Sequence, residues 1–141
     1  MFFGNYPATL DDKGRVHIPS VINRQVGDNK TLMMAEWGGC LAAFPPVSFE
    51  KMGERLAELS KQKKYRDIVH ATVSRFFPGA IKNGKLLIPQ ELRNGTKINK
   101  KLQIVGMLDH IEIWNSAEWQ KKNSRRKGRN VRDDLDQLGI L

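Results

Sequence analysis

Lys13, Gly14 and Arg15 place two cations around a residue with no side chain, and Asp11 stands two positions before them. A glycine lets backbone N–H groups come close to a phosphate oxygen, and a lysine adds a point charge. Arginine carries a planar fork that matches guanine O6 and N7, and a two-stranded ribbon fits the major groove where those atoms lie. Asp11 would repel phosphate, so its chemistry is to close the turn by accepting backbone N–H bonds or to orient Arg15. His17 falls on the Arg15 side of the local alternation and can assist at a phosphate. A related set recurs at Lys82, Asn83, Gly84 and Lys85, where Asn-Gly favours a tight primed turn. Phosphate contact is expected of that second set ahead of base reading.

The two sets sit in a longer repeat. Leu10-Asp11-Asp12-Lys13-Gly14-Arg15-Val16-His17-Ile18-Pro19 returns about 70 positions later as Ile81-Lys82-Asn83-Gly84-Lys85-Leu86-Leu87-Ile88-Pro89. An offset of 70 carries Gly14 to Gly84, Arg15 to Lys85 and Pro19 to Pro89, and it sets Ile81 against Asp11. It then runs without a gap through Ile22/Leu92, Met34/Ile104 and Phe44/Trp114. The chain is therefore a tandem of two similar modules, too few for a solenoid, and a pseudo-twofold pair sharing one buried face is expected. Each module is near the lower size limit for folding alone.

The elements that hold these turns follow from local pattern. Residues 5–47 form the first module. Phe2 to Leu10 reads as an edge strand broken by Pro7, and Ser20 caps a short helix carrying Val21, Ile22 and Val26. Thr31 to Ala35 and Cys40 to Phe44 read as a hairpin turning at Gly38-Gly39. Residues 48–75 form a helical connector, with Ser48 as cap and Phe49, Met52, Leu56 and Leu59 on one face, then a second helix from Tyr65 to Phe77. Residues 76–119 replay the pattern, ending in a helix that Asn115 or Ser116 caps and that bears Trp119. Residues 120–141 read as a mobile basic tail with a short helical turn at Val131, Leu135 and Leu138. The fold class is mainly β with short helices, an α+β fold.

Composition narrows the chemistry. The 141 residues carry a net charge of +9, and residues 121–141 hold seven Lys/Arg against three Asp, which is nearly half of the excess. That balance suits a polyanion partner, nucleic acid above all. Arg125, Arg126, Lys127 and Arg129 could form a non-specific DNA arm, or only a solvated tail. The single Cys40 rules out an internal disulfide and a cysteine zinc site, and a small buried apolar role fits it. His17, His70 and His110 fall in no metal or triad spacing, so no catalytic, metal or cofactor site and no small-molecule substrate are expected. Leu32, Met34, Leu102 and Ile104 read as shared core, and Trp37, Trp114 and Trp119 as core or interface anchors. No apolar run is long enough for a membrane span, so a cytoplasmic, nucleoid-associated protein is expected.

Asp11-Asp12-Lys13-Gly14-Arg15 followed by Val16-His17-Ile18-Pro19, with the opening Met1-Phe2-Phe3-Gly4, resembles the MraZ family. The resemblance implies two SpoVT/AbrB-type swapped-hairpin halves around a pseudo-twofold double-β core. It also implies a ring-shaped homo-oligomer that represses transcription by binding G-rich direct repeats in double-stranded DNA, upstream of the division and cell-wall gene cluster. Two other readings remain open on the residues. One is an RNA- or ribosome-associated module using the basic tail and aromatics; the other is an antitoxin-like DNA-binding interaction protein.

Overall fold

The computed structural model describes residues 1–126 and 128–141, so Lys127 of the basic segment lies outside the described residues. The chain runs β1 (Asn5–Thr9), β2 (Arg15–His17), α1 (Ser20–Gln25), β3 (Thr31–Trp37), β4 (Cys40–Phe44) and α2 (Pro46–Leu59). A 3-10 turn at Lys63–Tyr65 leads into α3 (Arg66–Val73). There follow β5 (Phe77–Lys82), β6 (Lys85–Leu87), α4 (Gln90–Gly95), β7 (Lys101–Gly106), β8 (Ile111–Asn115), α5 (Ser116–Ser124) and α6 (Val131–Gln137).

The strands form one antiparallel sheet of eight, ordered β1-β7-β8-β4-β3-β5-β6-β2. A bridge between Leu10 and Val16 joins its two ends, so the sheet closes almost into a barrel. Sequence halves interleave throughout. β1 pairs β7 with Tyr6 opposite Ile104, β5 pairs β3 with Phe77 opposite Met34, and β2 pairs β6. Neither half completes a sheet without strands of the other, as their small size requires. Leu32, Met34, Leu102 and Ile104 lie in one core cluster with Ile18 and Ile88, both fully buried.

Helix starts differ from the pattern-based expectation. α1, α2 and α4 begin directly after Pro19, Pro45 and Pro89, with no side-chain cap. Proline presets φ for the step into a helix, so these ends are ordered by backbone geometry instead of a hydroxyl. Ser20 is thus the first helical residue, and Ser48 lies inside α2, donating its hydroxyl to the Pro45 carbonyl at 3.2 Å. Asn115 does cap α5, accepting from the Ala117 and Glu118 N–H groups at 2.9 and 3.2 Å. The segment expected to be a mobile tail is largely folded. Lys121 to Ser124 complete α5, and Asn130 caps α6.

The 70-residue offset reaches past the strands, pairing Pro46 with Ser116 and Phe49 with Trp119, the aromatic of each following helix. Phe49 packs on Phe76 at 5.0 Å between ring centroids, and Trp119 on Trp114 at 5.8 Å. Cys40 is buried beside Trp114; burial first, then the Glu112 charge, pushes its thiol up to about 12. It stays a neutral thiol at physiological pH.

The β7–β8 turn carries a second polar element. The His110 ring stacks on Phe44 at 4.4 Å; its Nδ1 lies 2.7 Å from Asp109 and its Nε2 3.5 Å from Glu112. Burial, the largest influence, works to lower the His110 pKa, but the contacts and charges of Glu112 and Asp109 together hold it above the ordinary 6.5. Glu112 lies below its ordinary 4.5, chiefly through His110, with Trp114 and Lys122 assisting. The imidazolium adds stability fully present below pH 6.5 and lost as pH rises through its higher folded value; the carboxylate's share is present above pH 4.5 and lost as pH falls through its lower one. The pair therefore stabilises most between pH 4.5 and 6.5. Thermal melts of wild type and His110→Gln should differ most in that window and converge above it; a difference constant from acid to alkaline pH would contradict the pairing. Ile104→Ala, which truncates a fully buried side chain, should cost about 2–5 kcal/mol in urea unfolding.

Candidate nucleic-acid interface

The two glycine turns are built differently. In the first, the Gly14 N–H donates to the Asp11 carbonyl at 3.0 Å and the Asp11 N–H to the Arg15 carbonyl at 2.9 Å. Asp12, Lys13 and Gly14 thus form a three-residue loop, closed by Gly14 at φ 81°. This is the pattern of a turn ending in a left-handed bulge residue. In the second, Lys82 pairs with Lys85, and Asn83 and Gly84 both have positive φ, 53° and 75°. That is a two-residue primed turn, as Asn-Gly predicts.

One residue of loop length shifts the repeat. Strands entering the turns are 71 apart (Tyr6 and Phe77 face Ile104 and Met34), whereas those leaving are 70 apart. Leu10, not Asp11, is consequently the counterpart of Ile81: Leu10 bridges Val16 as Ile81 pairs with Leu86. The alignment of Ile81 with Asp11 is corrected accordingly. Lys82 holds the Asp11 position, so the second turn replaces the structuring carboxylate with a cation.

Asp11 performs both tasks open to it. Its Oδ1 accepts from the Lys13 and Arg15 N–H groups at 2.9 and 2.8 Å, and its Oδ2 accepts from Arg15 Nε at 2.9 Å. The backbone bond from Arg15 leads the influences that hold the Asp11 carboxyl below its usual range, opposed by desolvation and joined by the Arg15 side chain and the Lys13 N–H. Ionised at neutral pH, Asp11 clamps Arg15 through Nε and leaves the outer guanidinium edge, with its two Nη groups, directed elsewhere. The Arg15 side chain is 38% exposed. Asp12, exposed in the same turn, offsets part of the charge.

The turns lead into one ribbon made of both halves. Arg15 pairs with Leu87, Val16 with Leu86 and His17 with Lys85. Val16 and Leu86 are fully buried, so strand alternation puts Arg15, His17, Lys85 and Leu87 on the opposite face. Two crossed backbone bonds brace the ribbon: Ile18 N–H to the Gly84 carbonyl at 2.8 Å, and Ile88 N–H to the Gly14 carbonyl at 2.9 Å. Each turn glycine thereby anchors the strand leaving the other turn. The face offers donors and positive charge, which suits an extended anion.

Two residues of this region escape pattern reading. Leu87 breaks the expected polar phase of its strand, a signal visible in the sequence. Arg93 gives no sequence signal, since it comes from α4 and reaches the first turn only through the swapped topology. A Cβ built on Gly14 would lie 2.7 Å from Arg93 Nη1; Nη2 donates to Gln90 at 3.0 Å, and Nε is buried with no partner among the described residues. In the basic segment, Arg126 and Arg129 pair with Asp134 at 2.8 and 3.4 Å, while Arg125 caps the end of α5. Two of the four arm cations are thus already engaged within the chain.

Among the described residues, no three His, Cys, Asp or Glu side chains gather as a metal site would require, and no helix is long and apolar enough to cross a membrane. The family described as "MraZ protein, putative antitoxin-like" matches residues 1–70 and 82–136, the break running from the end of α3 through most of the strand that enters the shorter second turn. A protein of Clostridium acetobutylicum named transcriptional regulator MraZ is 33% identical over 99% of this chain and 100% of its own length. Namesakes from Pediococcus pentosaceus (32% identical, covering 86% of this chain and 85% of their chain) and Caldicellulosiruptor saccharolyticus (29%, covering 99% and 100%) agree. The chain belongs to the MraZ family of transcriptional regulators.

Proposed function

We propose that this regulator binds double-stranded DNA in a sequence-specific way through the β2–β6 ribbon and its two turns. Arg15, clamped at Nε by Asp11, presents its free edge to guanine in the major groove. Lys13, Lys82 and Lys85 meet phosphates, with His17 assisting, and Asn83-Gly84 lets the backbone approach closely. Gly14 is buried against Arg93 with its N–H bonded to Asp11, so its task in the first turn is to shape the loop. The observation that carries the reading is the Asp11–Arg15 clamp on an exposed cationic ribbon. An arginine held through Nε loses less side-chain freedom on binding and keeps its outer edge for a base.

The protein acts as a ring-shaped homo-oligomer on G-rich direct repeats, repressing the division and cell-wall gene cluster from the nucleoid in the cytoplasm. Val47, Ile68, Val73 and Leu108 support self-association, being large, apolar and exposed on the helices and turns of a single chain. Repeats about 10 bp apart would put successive ribbons on one face of the duplex. Linking several weak sites multiplies affinity by roughly 10²–10⁴. Arg125, the described arm cation that Asp134 does not engage, supplies non-specific charge.

Arg15→Ala should cost about 1–3 kcal/mol per engaged repeat and relax base preference. Equal losses on repeat and scrambled duplexes in a titration would contradict base reading, and single-stranded RNA outcompeting duplex at matched salt would favour an RNA-binding role instead. Asp11→Asn keeps the size of the side chain but weakens the clamp. It should lower affinity for the repeat duplex while leaving the salt dependence of binding unchanged, because no phosphate contact is removed.

A further inference from the structure

Leu87 is the one member of the ribbon face to which the proposed function gives no task. The residue is 53% exposed beside Arg15, its cross-strand partner. The crossed backbone bonds fall at the pairs Ile18/Gly84 and Ile88/Gly14. Antiparallel ladders alternate, so Arg15/Leu87 and His17/Lys85 are the pairs without mutual hydrogen bonds, in which side chains stand closest. Scattered exposed leucines are ordinary, so exposure is not the argument. Position is. The buried side of this short ribbon is already filled by Val16 and Leu86, and the pseudo-twofold places polar His17 at the matching position of the other strand. Folding alone gives no reason for an apolar side chain here.

The major groove offers one apolar group on its floor, the C5-methyl of thymine. Cross-strand Cβ atoms are about 4.5–5.5 Å apart, and bases along one strand about 3.4 Å. Side chains rising from Arg15 and Leu87 therefore reach base pairs one or two steps apart. Resting on the DNA-binding reading, we propose that Leu87 is a specificity-determining residue that packs on a thymine methyl within two base steps of the guanine Arg15 reads. The ribbon then has two unlike ends, Arg15 with Leu87 and Lys85 with His17. A pseudo-twofold backbone that would favour a palindrome acquires a direction, which a direct repeat requires.

The test uses the full-length wild-type protein and the duplex it selects from a randomised pool. In that duplex each thymine is replaced in turn by deoxyuridine, which lacks only the C5-methyl. One thymine near the guanine protected by Arg15 should prove sensitive, with affinity falling about fourfold per engaged repeat, the effect of one buried methyl. Leu87→Ala should bind the thymine duplex more weakly than wild type and lose that sensitivity, so that both duplexes bind it alike. Wild-type indifference to every deoxyuridine within two steps of that guanine would overturn the assignment, even if Leu87→Ala failed to assemble. The same uridine penalty in wild type and Leu87→Ala would also overturn it. Recovery of no preferred duplex would overturn it together with the DNA-binding reading beneath it.

Discussion

Two backbone hydrogen bonds govern the arrangement of this molecule: Ile18 N–H to the Gly84 carbonyl and Ile88 N–H to the Gly14 carbonyl. Each joins the strand leaving one turn to the glycine of the other, about 70 residues away in the chain. Neither turn can take its position until both halves have folded together. The β2–β6 ribbon between them is only three residues per strand. Such a ribbon is marginal in water by itself. It is held here because Val16 and Leu86 drop from it into the common core, where both are inaccessible to solvent. Burial on one side thus fixes what the other side presents.

The two halves share a backbone plan but not a chemistry. The first turn spends an extra residue to bring in Asp11, which satisfies two N–H groups and holds Arg15. The second turn needs no such support, because Asn83 and Gly84 adopt left-handed conformations readily. It can therefore carry lysines at both flanking positions. Arg93, whose guanidinium lies against Gly14 with a buried Nε, adds charge beneath the first turn from the opposite half. The outcome is an asymmetric surface on a near-symmetric frame, with an arginine clamped by Asp11 at one end and a lysine at the other.

Much of this was legible in the residues. Glycine turns and alternating strands point to a mainly β fold with short helices, because period and turn chemistry are local properties. The equivalence of the two glycine turns follows from the 70-residue register, whereas their meeting in one ribbon is set by the pairing of β2 with β6. Other features were not local. Ser20 and Ser48 carry the hydroxyl that signals a helix start most strongly, yet the preceding prolines set the ends. The extra residue of the first turn was invisible to a fixed offset, which misaligned Ile81. The basic segment looked unfolded by composition, yet Asn130 and the Asp134 ion pairs with Arg126 and Arg129 order it. Arg93 could be placed only by the strand exchange, a tertiary fact.

The central claim is that a ribbon assembled from both halves faces the floor of the major groove, led by Arg15. Methylation protection of guanine N7 reads that groove directly. On a duplex selected by the wild-type protein, at least one guanine N7 per repeat should be shielded by wild type and exposed when Arg15→Ala is bound at saturating concentration. Unchanged N7 protection with Arg15→Ala, or protection confined to adenine N3 in the minor groove, would contradict the account.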